Sequence, residues 1–440
     1  MSDFVAVSGA RASEPSVARI AMASLIGTAI EWYDFFLFGI CAALVFPKVF
    51  FPASDPTTGL LASFATFGVA FLARPLGAIF FGHFGDTVGR KAALVTTLLL
   101  MGISTFLIGL VPNYASAGLW GPIMLVVLRV CQGIAIGGEW GGAALMAIEH
   151  SPQGKRGLYG AFSQIGNPIG FFLSNAVLQV VILLTSEAAF TEWGWRIGFL
   201  MSGVLVVFGL YVRVSVSESK IFEDAQRKVQ KDRTAQKVPL LQLFKHHWRV
   251  LFLTVLLQAA FSFGSYGLIS YYGAYTRTSL GLPSSWVLVS GMIGAVASIP
   301  AYFFFARLSD RIGRKKVYLI GVTGWLVIAF PFYWLINTGT YAGMIAASVL
   351  GWCVGHAGTY AVQSSYLAEV FPTQIRYTAV SVSYQLASVL FSGPASFIAV
   401  GLFASTGTIY SVSAMVAVGA ILGLLSLLSL RETYDRSLTS

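Results

Sequence analysis

Six ionisable side chains lie inside long apolar stretches of this sequence. They are Glu31, Asp34, Arg74, Arg129, Glu139 and His356. An ionised group at the centre of a bilayer costs roughly 2.5–3.5 kcal/mol on insertion scales, so such groups mark places where protons, ions or solutes are handled. A carboxylate changes its affinity for a proton as it approaches or leaves a cation, and an arginine donates two hydrogen bonds to an anionic oxygen. These residue types predict proton and anion chemistry at membrane depth.

The spacing of the carboxylates refines this hypothesis. Glu31 and Asp34 lie three residues apart on one predicted helix, which places them on one face of it. Together with Glu139 they are the candidates for proton coupling. Arg129 is the candidate ligand for an anionic substrate, and Arg74 is the intramembrane charge partner. Two structural alternatives stay open: Arg129 could cap backbone carbonyls, and Glu139 could pair with Arg74 only to hold two helices together.

The chain that carries these charges has the composition of a membrane protein. It has 440 residues, of which 56% are hydrophobic and 10% charged, and its mean hydropathy is +0.76. Its apolar runs exceed the ~20 residues that a helix needs to cross a bilayer, and such runs become helices because lipid leaves no other partner for the backbone. The sequence predicts an all-α membrane protein with twelve transmembrane helices, at 20–46, 58–83, 92–112, 120–148, 158–184, 195–213, 249–275, 285–306, 316–337, 341–368, 375–402 and 408–430.

Positive charge marks one side of this bundle. The net charge is +10, and nearly all of the 28 Lys and Arg residues fall in alternate loops and in the two tails. The positive-inside rule therefore places both termini and the long loop 212–248 in the cytoplasm. No basic helix face alternates with base-stacking aromatic residues, so no nucleic-acid partner is expected. The predicted organisation is a tail (1–19), a six-helix half (20–213), a cytoplasmic linker (214–248), a second half (249–430) and a tail (431–440).

Two short patterns occur twice, in the same order. Glu-x-x-Pro-x-x-x-Arg stands at 149–156 and again 220 residues later at 369–376, and Asp-x-x-Gly-Arg-Lys stands at 86–91 and at 310–315. Two echoes with nearly equal offsets indicate an internal duplication. Each echo falls at a cytoplasmic helix end, so the halves are pseudo-symmetric and parallel. This arrangement is typical of transporters whose site lies between the halves near the midplane.

The charged residues of these two patterns are candidates for a cytoplasmic gate. They are Asp86, Arg90, Glu149, Arg156, Asp310, Arg314, Glu369 and Arg376. A carboxylate at a helix end can pair with a nearby arginine or face the N-terminus of a neighbouring helix. Such contacts would hold one side closed and break when it opens. The alternative is that these are solvated loop charges that only follow the positive-inside rule.

Neutral or weakly basic polar residues supply further candidates for substrate binding. They are Tyr33, Gln164, Asn167, His356, Tyr384 and Gln385. Gln164 and Tyr384 occupy corresponding points of the repeat, 220 residues apart. His356 titrates in a useful range, although a lone histidine between glycines can also be a packing residue. Polar groups within a membrane bundle commonly bridge helices, so only some of these are expected to line a cavity.

Several strings in the sequence resemble known signatures. The segments 82–91 and 306–315 look like the two copies of the loop motif of the major facilitator superfamily, and Arg129-x-x-Gln132-Gly133 resembles its helix 4 motif. The strings at 31–35 (EWYDF), 73–77 (ARPLG), 137–142 (GGEWGG) and 369–373 (EVFPT) narrow the resemblance to the metabolite:proton symporter family, which includes shikimate, 2-oxoglutarate, citrate and proline/betaine permeases. Thr87 and Ala306 depart from the loop motif, and 166–170 only partly resembles the antiporter motif.

This resemblance implies a fold and an activity. The fold would be two six-helix halves whose helices 1, 4, 7 and 10 line a central cavity, in the inner membrane of a bacterium and as a monomer. The expected activity is proton-coupled import of a small organic acid by alternating access, driven by the proton gradient with no bound cofactor. Import of a zwitterion such as betaine or proline, and facilitated or exchange transport, stay open.

Other classes of protein are less well supported by the sequence. It shows no Ser/His/Asp arrangement, no metal-ligand cluster and no Gly-x-x-x-x-Gly-Lys loop, so neither an enzyme nor an ATP-driven pump is expected. The three cysteines lie in apolar runs and are not spaced as metal ligands. A membrane sensor is the remote alternative.

Overall fold

The structure is a computed structural model that describes residues 17–87, 90–149, 151–152, 154–214, 239–372 and 375–434. The predicted tail 1–19, linker 214–248 and tail 431–440 therefore lie largely outside the described residues. The described part is helical and contains no strand. Eleven of its helices are long and apolar enough to span a membrane, and a twelfth has a shorter apolar stretch, Val95–Ile108.

The twelve predicted spans all appear as helices. They are α1 (Val17–Leu44), α2 (Pro56–Thr87), α3 (Arg90–Ile108), α4 (Trp120–Glu149), α5 (Arg156–Leu184), α6 (Trp195–Val214), α7 (Trp248–Gly264 and Tyr272–Thr278), α8 (Ser284–Ile312), α9 (Arg314–Ile336), α10 (Tyr341–Leu350 and Ala357–Val370), α11 (Arg376–Ala387 and Gly393–Thr406) and α12 (Tyr410–Ser429). Short helices at Phe46–Phe50, Tyr114–Ala117 and Glu187–Ala189 lie in the loops, and Pro239–His246 precedes α7.

The chain crosses the bundle twelve times, so α1 begins and α12 ends on the same side. We call that side the terminal face and the other side the opposite face. Turn chemistry sets the helix ends. The Thr340 hydroxyl accepts a hydrogen bond from the Gly343 N–H at the start of α10, and Gly407, with φ of +68°, ends α11 in a left-handed conformation that favours glycine.

Glycine lets helices within each half come into close contact. A Cβ atom built on Gly77 of α2 would lie 1.9 Å from the Ile134 carbonyl oxygen of α4, and one on Gly137 of α4 would lie 2.0 Å from the Arg74 carbonyl oxygen. Gly170 of α5 similarly approaches the backbone of α1 at Ala29. Small residues of this kind permit the backbone packing on which membrane helix association depends. Between the halves, α5 packs against α8 and α2 against α11.

Three spans of the second half contain a π-helical turn. These turns are Ser265–Ser270 in α7, Gly351–His356 in α10 and Ser388–Ser392 in α11. A π-helical turn adds a residue to one turn of a helix and redirects side chains, and it often occurs at functional sites. The turns in α7 and α10 carry Tyr266, Trp352 and His356. Tyr266 and Trp352 thereby reach aromatic rings of the first half, whereas the described contacts of His356 lie within the second half.

Candidate functional site

Aromatic and polar side chains of α10 form one wall of the space between the halves. The imidazole of His356 lies 4.5 Å from the Trp352 ring and 5.1 Å from the Phe261 ring, measured between centroids. Its Nδ1 shares a 2.8 Å hydrogen bond with the Tyr302 hydroxyl of α8. One turn further, the Tyr360 ring stacks on Phe261 at 4.5 Å. His356 is therefore held from several sides and is 1% exposed.

Helix α5 faces this wall with two amide side chains, Gln164 and Asn167. Gly160 accepts a hydrogen bond from the Ser364 hydroxyl of α10, and the Phe171 ring lies 4.8 Å from Trp352. Gln164 and Asn167 lie on the same stripe of α5, at helical spacing between those contacts. Both are buried, and Nε2 of Gln164 and both amide atoms of Asn167 have no hydrogen-bond partner among the described residues. Buried polar atoms without partners are costly, so these amides are candidates for contact with a bound molecule or water.

Arg74 lies among aromatic side chains from both halves. Its guanidinium carbon lies 4.2 Å from the centroid of Phe71 and 5.3 Å from that of Phe35. The Tyr266 ring of α7 packs edge-on against the same two rings, at 5.7 and 6.0 Å. Both Tyr266 and Tyr384, which come from the second half, lie within electrostatic range of Arg74.

Glu31 lies in the same region as Arg74. It is within electrostatic range of Tyr360 and Tyr384, whose hydroxyl oxygens are 3.4 Å apart. The adjacent Trp32 packs edge-on against Tyr360, with centroids 6.2 Å apart. We call Glu31, Arg74, Tyr266, His356, Tyr360 and Tyr384 the central site. It combines one cation, one carboxylate and several aromatic rings between the two halves.

Asp34 belongs to a separate chain of hydrogen bonds inside the first half. Its Oδ2 accepts a 2.8 Å hydrogen bond from the Thr105 hydroxyl of α3. That hydroxyl oxygen accepts a 2.6 Å bond from Nε2 of Gln132, and Oε1 of Gln132 accepts a 2.8 Å bond from Nη1 of Arg129. We call Asp34, Thr105, Gln132 and Arg129 the polar chain. It links a carboxylate on α1 to a guanidinium on α4 through two neutral side chains.

The rest of the Arg129 guanidinium is also occupied. Its Nη2 donates to the Phe67 carbonyl oxygen at 3.1 Å, and its carbon lies 4.0 Å from the Phe38 centroid. Arg129 is 0% exposed and Asp34 is 1% exposed. The polar chain is therefore enclosed by α1, α2, α3 and α4.

Glu31 and Asp34, which the spacing places on one face of α1, point to different neighbours. Residues three apart differ by about 60° around a helix of 3.6 residues per turn. That angle directs Asp34 to Thr105 of α3, whereas Glu31 lies near Tyr360 and Tyr384 of the second half. Helix α1 thus supplies one carboxylate, Asp34, to the polar chain and a second carboxylate, Glu31, to the central site.

Two other predicted site residues, Tyr33 and Gln385, donate hydrogen bonds to backbone carbonyls of neighbouring helices. The Tyr33 hydroxyl donates a 2.7 Å bond to the Gly198 carbonyl of α6, so this residue joins two helices of the first half. Nε2 of Gln385 donates across the halves to the Gly137 carbonyl at 3.4 Å. The side chain of Glu139 lies outside the described residues.

On the terminal face, Asp310 joins the two halves. Its two carboxylate oxygens accept hydrogen bonds from the backbone N–H groups of Gly157 and Leu158, each at 2.9 Å. These groups open α5, where the helix dipole favours a negative charge. Asp310 also pairs with Arg314 at 2.7 Å. The carboxylate of one half therefore caps a helix of the other.

A second carboxylate extends this contact. Glu369 lies 3.5 Å from Nε of Arg314 and 3.8 Å from Arg156 of the first half, and it accepts a 2.9 Å bond from the Thr433 hydroxyl. Arg376 is buried at the start of α11. The side chains of Asp86, Arg90 and Glu149, the remaining predicted gate residues, lie outside the described part of the chain.

The opposite face is closed by different chemistry. Phe36 of α1 and Phe171 of α5 pack at 4.9 Å, and Trp352 of the second half contacts both, at 6.4 and 4.8 Å. Nearer the surface, Arg277 pairs with Glu187 across the halves at 2.6 Å. The described residues thus connect the halves on both sides of the central site, by ion pairs on one face and mainly by aromatic packing on the other.

The sequence-based prediction did not include two groups of residues. The sequence could have indicated Gln132, because it stands three residues after Arg129 in the helix 4 motif. It could not have indicated Thr105, which is one of several hydroxyl residues in α3. The aromatic contact of Phe36, Phe171 and Trp352 is not separable from other apolar residues by sequence alone. Only the tertiary structure shows that these three rings meet across the halves.

The family model for sugar (and other) transporters matches residues 20–440. The inner membrane metabolite transport protein YhjE of Escherichia coli is 42% identical over 432 residues, which cover 96% of this chain and 95% of that protein. The shikimate transporter of the same species is 37% identical and the proline/betaine transporter 35% identical; each match covers 94% of this chain, with 94% and 84% of the respective relative.

A solved structure shows the same architecture. The proton:xylose symporter XylE of E. coli, a member of the major facilitator superfamily, matches with a TM-score of 0.78 and 17% identity, over 96% of this chain and 98% of that one. At this identity the likeness concerns the fold, and it agrees with twelve membrane helices in this chain. The chain therefore belongs to the sugar (and other) transporter family, and it is a multi-pass membrane transporter of metabolites, not an enzyme.

Proposed function

We propose that this protein imports a small organic acid together with a proton, by alternating access. One observation carries the proposal: a buried carboxylate linked to a buried guanidinium lies beside a separate cation-bearing site between the halves. Asp34 of the polar chain would bind the proton, and the central site would bind the substrate. The membrane potential adds about 2.3 kcal/mol per charge per 100 mV, so proton entry can drive accumulation of a solute.

Arg74 is the proposed ligand for the substrate carboxylate. It borders the second half at Tyr266 and Tyr384, whereas Arg129 already donates to Gln132 and to the Phe67 carbonyl. The amide atoms of Gln164 and Asn167 that have no partner among the described residues would bind hydroxyl or carbonyl groups of the same molecule. Because Arg74 is the single proposed cationic ligand of the central site, a monocarboxylate with further polar groups fits better than a dicarboxylate. The shikimate transporter among the relatives is named for a substrate of this kind.

The two sets of contacts between the halves would act as alternate gates. The positive-inside rule assigns the terminal face to the cytoplasm, so Asp310 and Glu369 would close the inner gate. Phe36, Phe171 and Trp352 would close the outer one. Because a gate must open in each cycle, contacts that are individually modest and collectively specific suit this role. The bacterial inner membrane is the proposed location.

Import of a zwitterion is the second candidate. Glu31 lies among aromatic rings, and an aromatic site with a carboxylate can hold an ammonium group while Arg74 holds the carboxylate. The proline/betaine transporter among the relatives favours this reading. Exchange or facilitated transport would use the same site without net proton entry.

A thermal-shift screen of the purified protein tests the substrate class. A ligand that binds only the folded state adds stability of about 2.7 kcal/mol at a concentration of 100 times its Kd. We expect shikimate or another hydroxylated monocarboxylate to raise the melting temperature, and Arg74→Gln to abolish that shift. Glycine betaine as the only stabilising compound would favour the zwitterion. Stabilisation by succinate in preference to every monocarboxylate would contradict the proposed substrate class.

A further inference from the structure

The hydroxyl of Thr105 has more partners than its single hydrogen can serve. Its oxygen lies 2.8 Å from Oδ2 of Asp34 and 2.9 Å from the carbonyl oxygen of Met101, and both of these atoms are acceptors when Asp34 is ionised. A hydroxyl has one hydrogen to donate. At the same time the oxygen accepts from Nε2 of Gln132 at 2.6 Å. The hydroxyl hydrogen must therefore point either to α1 or back along α3.

We propose that Thr105 is a positioning residue that senses the protonation state of Asp34 and transmits it to the α1–α3 contact. The inference rests on the proposed function, because it gives Asp34 the role of proton carrier. It adds a residue to which no role was assigned from the sequence. Thr105 would act through Asp34 and need not touch the substrate.

The Thr105 hydroxyl can form one set of hydrogen bonds when Asp34 is ionised and another when Asp34 is protonated. With Asp34 ionised, Thr105 donates to the carboxylate and accepts from Gln132. With Asp34 protonated, the carboxyl O–H donates to the Thr105 oxygen, and the Thr105 hydrogen turns to the Met101 carbonyl in the preceding turn of α3. Gln132 keeps its bond in both states. One proton is added to Asp34, and no other group gains or loses one.

The strength of the α1–α3 contact differs between these states. A hydrogen bond to an ionised carboxylate is roughly twice as strong as one between neutral groups. Protonation of Asp34 therefore weakens the bond that ties α1 to α3, and α1 carries Glu31 of the central site and Phe36 of the outer gate. Weakening that bond would release α1 for its movement during transport.

The charged and titratable surroundings of Asp34 are few among the described residues. Arg129 of α4 and Glu31 of α1 lie within electrostatic range of Asp34, and Tyr33 is its neighbour in the chain. Arg129 in turn lies near Arg74 of α2 and Tyr266 of α7. Oδ1 of Asp34 has no hydrogen-bond partner in the described part of the chain. Thr105 is thus the hydrogen-bond donor that Asp34 has there.

Infrared difference spectroscopy of the protein in liposomes tests the proposal without a substrate, because the probe is the proton. The C=O band of protonated Asp34 is identified by its loss in Asp34→Asn. We expect the titration midpoint of this band to rise by about one pH unit in Thr105→Val, a tenfold change in the protonation equilibrium. The band should also move to higher frequency, because the carboxyl loses its hydrogen-bond acceptor.

Thr105→Ser is the matched control, since it keeps the hydroxyl and loses only a methyl group. Its midpoint should equal that of the wild type. Thr105→Ala carries the same expectation as Thr105→Val should the valine variant not insert into the membrane. An unchanged midpoint without the hydroxyl, equal shifts for serine and valine, or no titrating Asp34 band would each overturn the proposal. If the wild type showed no substrate-driven proton uptake while its Asp34 band still depended on Thr105, the symport would be refuted and this inference would stand.

Discussion

Two arginines at membrane depth differ in what their guanidinium groups contact. Arg129 donates to Gln132 and to the Phe67 carbonyl and lies over Phe38, all within the first half. Arg74 lies over Phe71 beside Tyr266 of the second half. These different environments support the proposed division between a coupling role for Arg129 and a substrate role for Arg74, which residue type alone does not indicate. They move the anion-ligand hypothesis from Arg129 to Arg74.

The substitution Arg74→Lys tests this division. Lysine keeps the charge but loses the planar fork that holds a carboxylate by two hydrogen bonds. We expect the KM for an acid that the thermal-shift screen identifies to rise roughly tenfold or more, equivalent to about 1.4 kcal/mol of lost binding. Arg129→Lys is the comparison: it should reduce proton-driven accumulation and leave KM within a few-fold of the wild type. A larger KM effect in Arg129→Lys would return the substrate to Arg129.

Asp34→Asn isolates proton binding from substrate binding. Asparagine keeps the size of the side chain and an oxygen for Thr105, but it cannot exchange a proton. Substrate counterflow, in which labelled and unlabelled substrate exchange without a gradient, should continue. Accumulation against a gradient should fall to the equilibrium level. Normal accumulation by this variant would remove Asp34 from the coupling mechanism.

At the scale of the helices, much of the architecture was predictable because apolar length and turn residues determine membrane spans. All twelve spans appear, including α3, in which the apolar stretch Val95–Ile108 also contains polar residues such as Ser104 and Thr105. The π-helical turns at Ser265–Ser270, Gly351–His356 and Ser388–Ser392 were not predictable. A single inserted residue leaves the hydrophobic pattern almost unchanged, whereas it rotates every side chain beyond it.

The glycine contact between α2 and α4 provides a stability test at this scale. A methyl group at Gly77 would collide with the Ile134 carbonyl, so Gly77→Ala must separate two helices that hold Arg74 and the polar chain. We expect a loss of about 1–3 kcal/mol, the usual cost of overpacking, measured by thermal unfolding in detergent. Gly401→Ala in α11 is the control, because its methyl group would meet no atom within 4 Å and should be neutral or slightly stabilising. Equal melting temperatures for both variants would refute the tight α2–α4 contact.

At the scale of the molecule, described contacts between the halves on the terminal face involve residues of the repeated sequence patterns. The Asp-x-x-Gly-Arg-Lys copy in the second half places Asp310 over the N-terminus of α5, and the Glu-x-x-Pro-x-x-x-Arg copies place Arg156 near Glu369. The outer contact had no such signal, because Phe36, Phe171 and Trp352 belong to a chain in which aromatic residues are common. A charged residue at a helix end can be recognised in the sequence as a candidate contact, whereas one aromatic residue among many in apolar helices cannot.

Neutralising Asp310 should open the terminal face. Asp310→Asn removes the negative charge of the carboxylate that accepts hydrogen bonds from two backbone N–H groups and pairs with Arg314. A hydrogen bond to a charged group contributes about 1.5–3 kcal/mol. A Ser364→Cys reporter, buried between α5 and α10, should therefore react with N-ethylmaleimide roughly tenfold faster or more. Glu187→Gln, which breaks the ion pair on the opposite face, should not accelerate it. The same rate in Asp310→Asn and in the reporter alone would show that Asp310 does not hold the gate.

Proton movement during uptake is the most direct test of the account. Purified protein is reconstituted into liposomes that contain a pH-sensitive dye, and the acid found by the thermal-shift screen is added outside without a pre-formed gradient. Proton symport predicts acidification of the lumen that is saturable, abolished by Asp34→Asn and retained in Glu187→Gln. Uptake of the acid by the wild type with no change in lumenal pH would contradict proton symport.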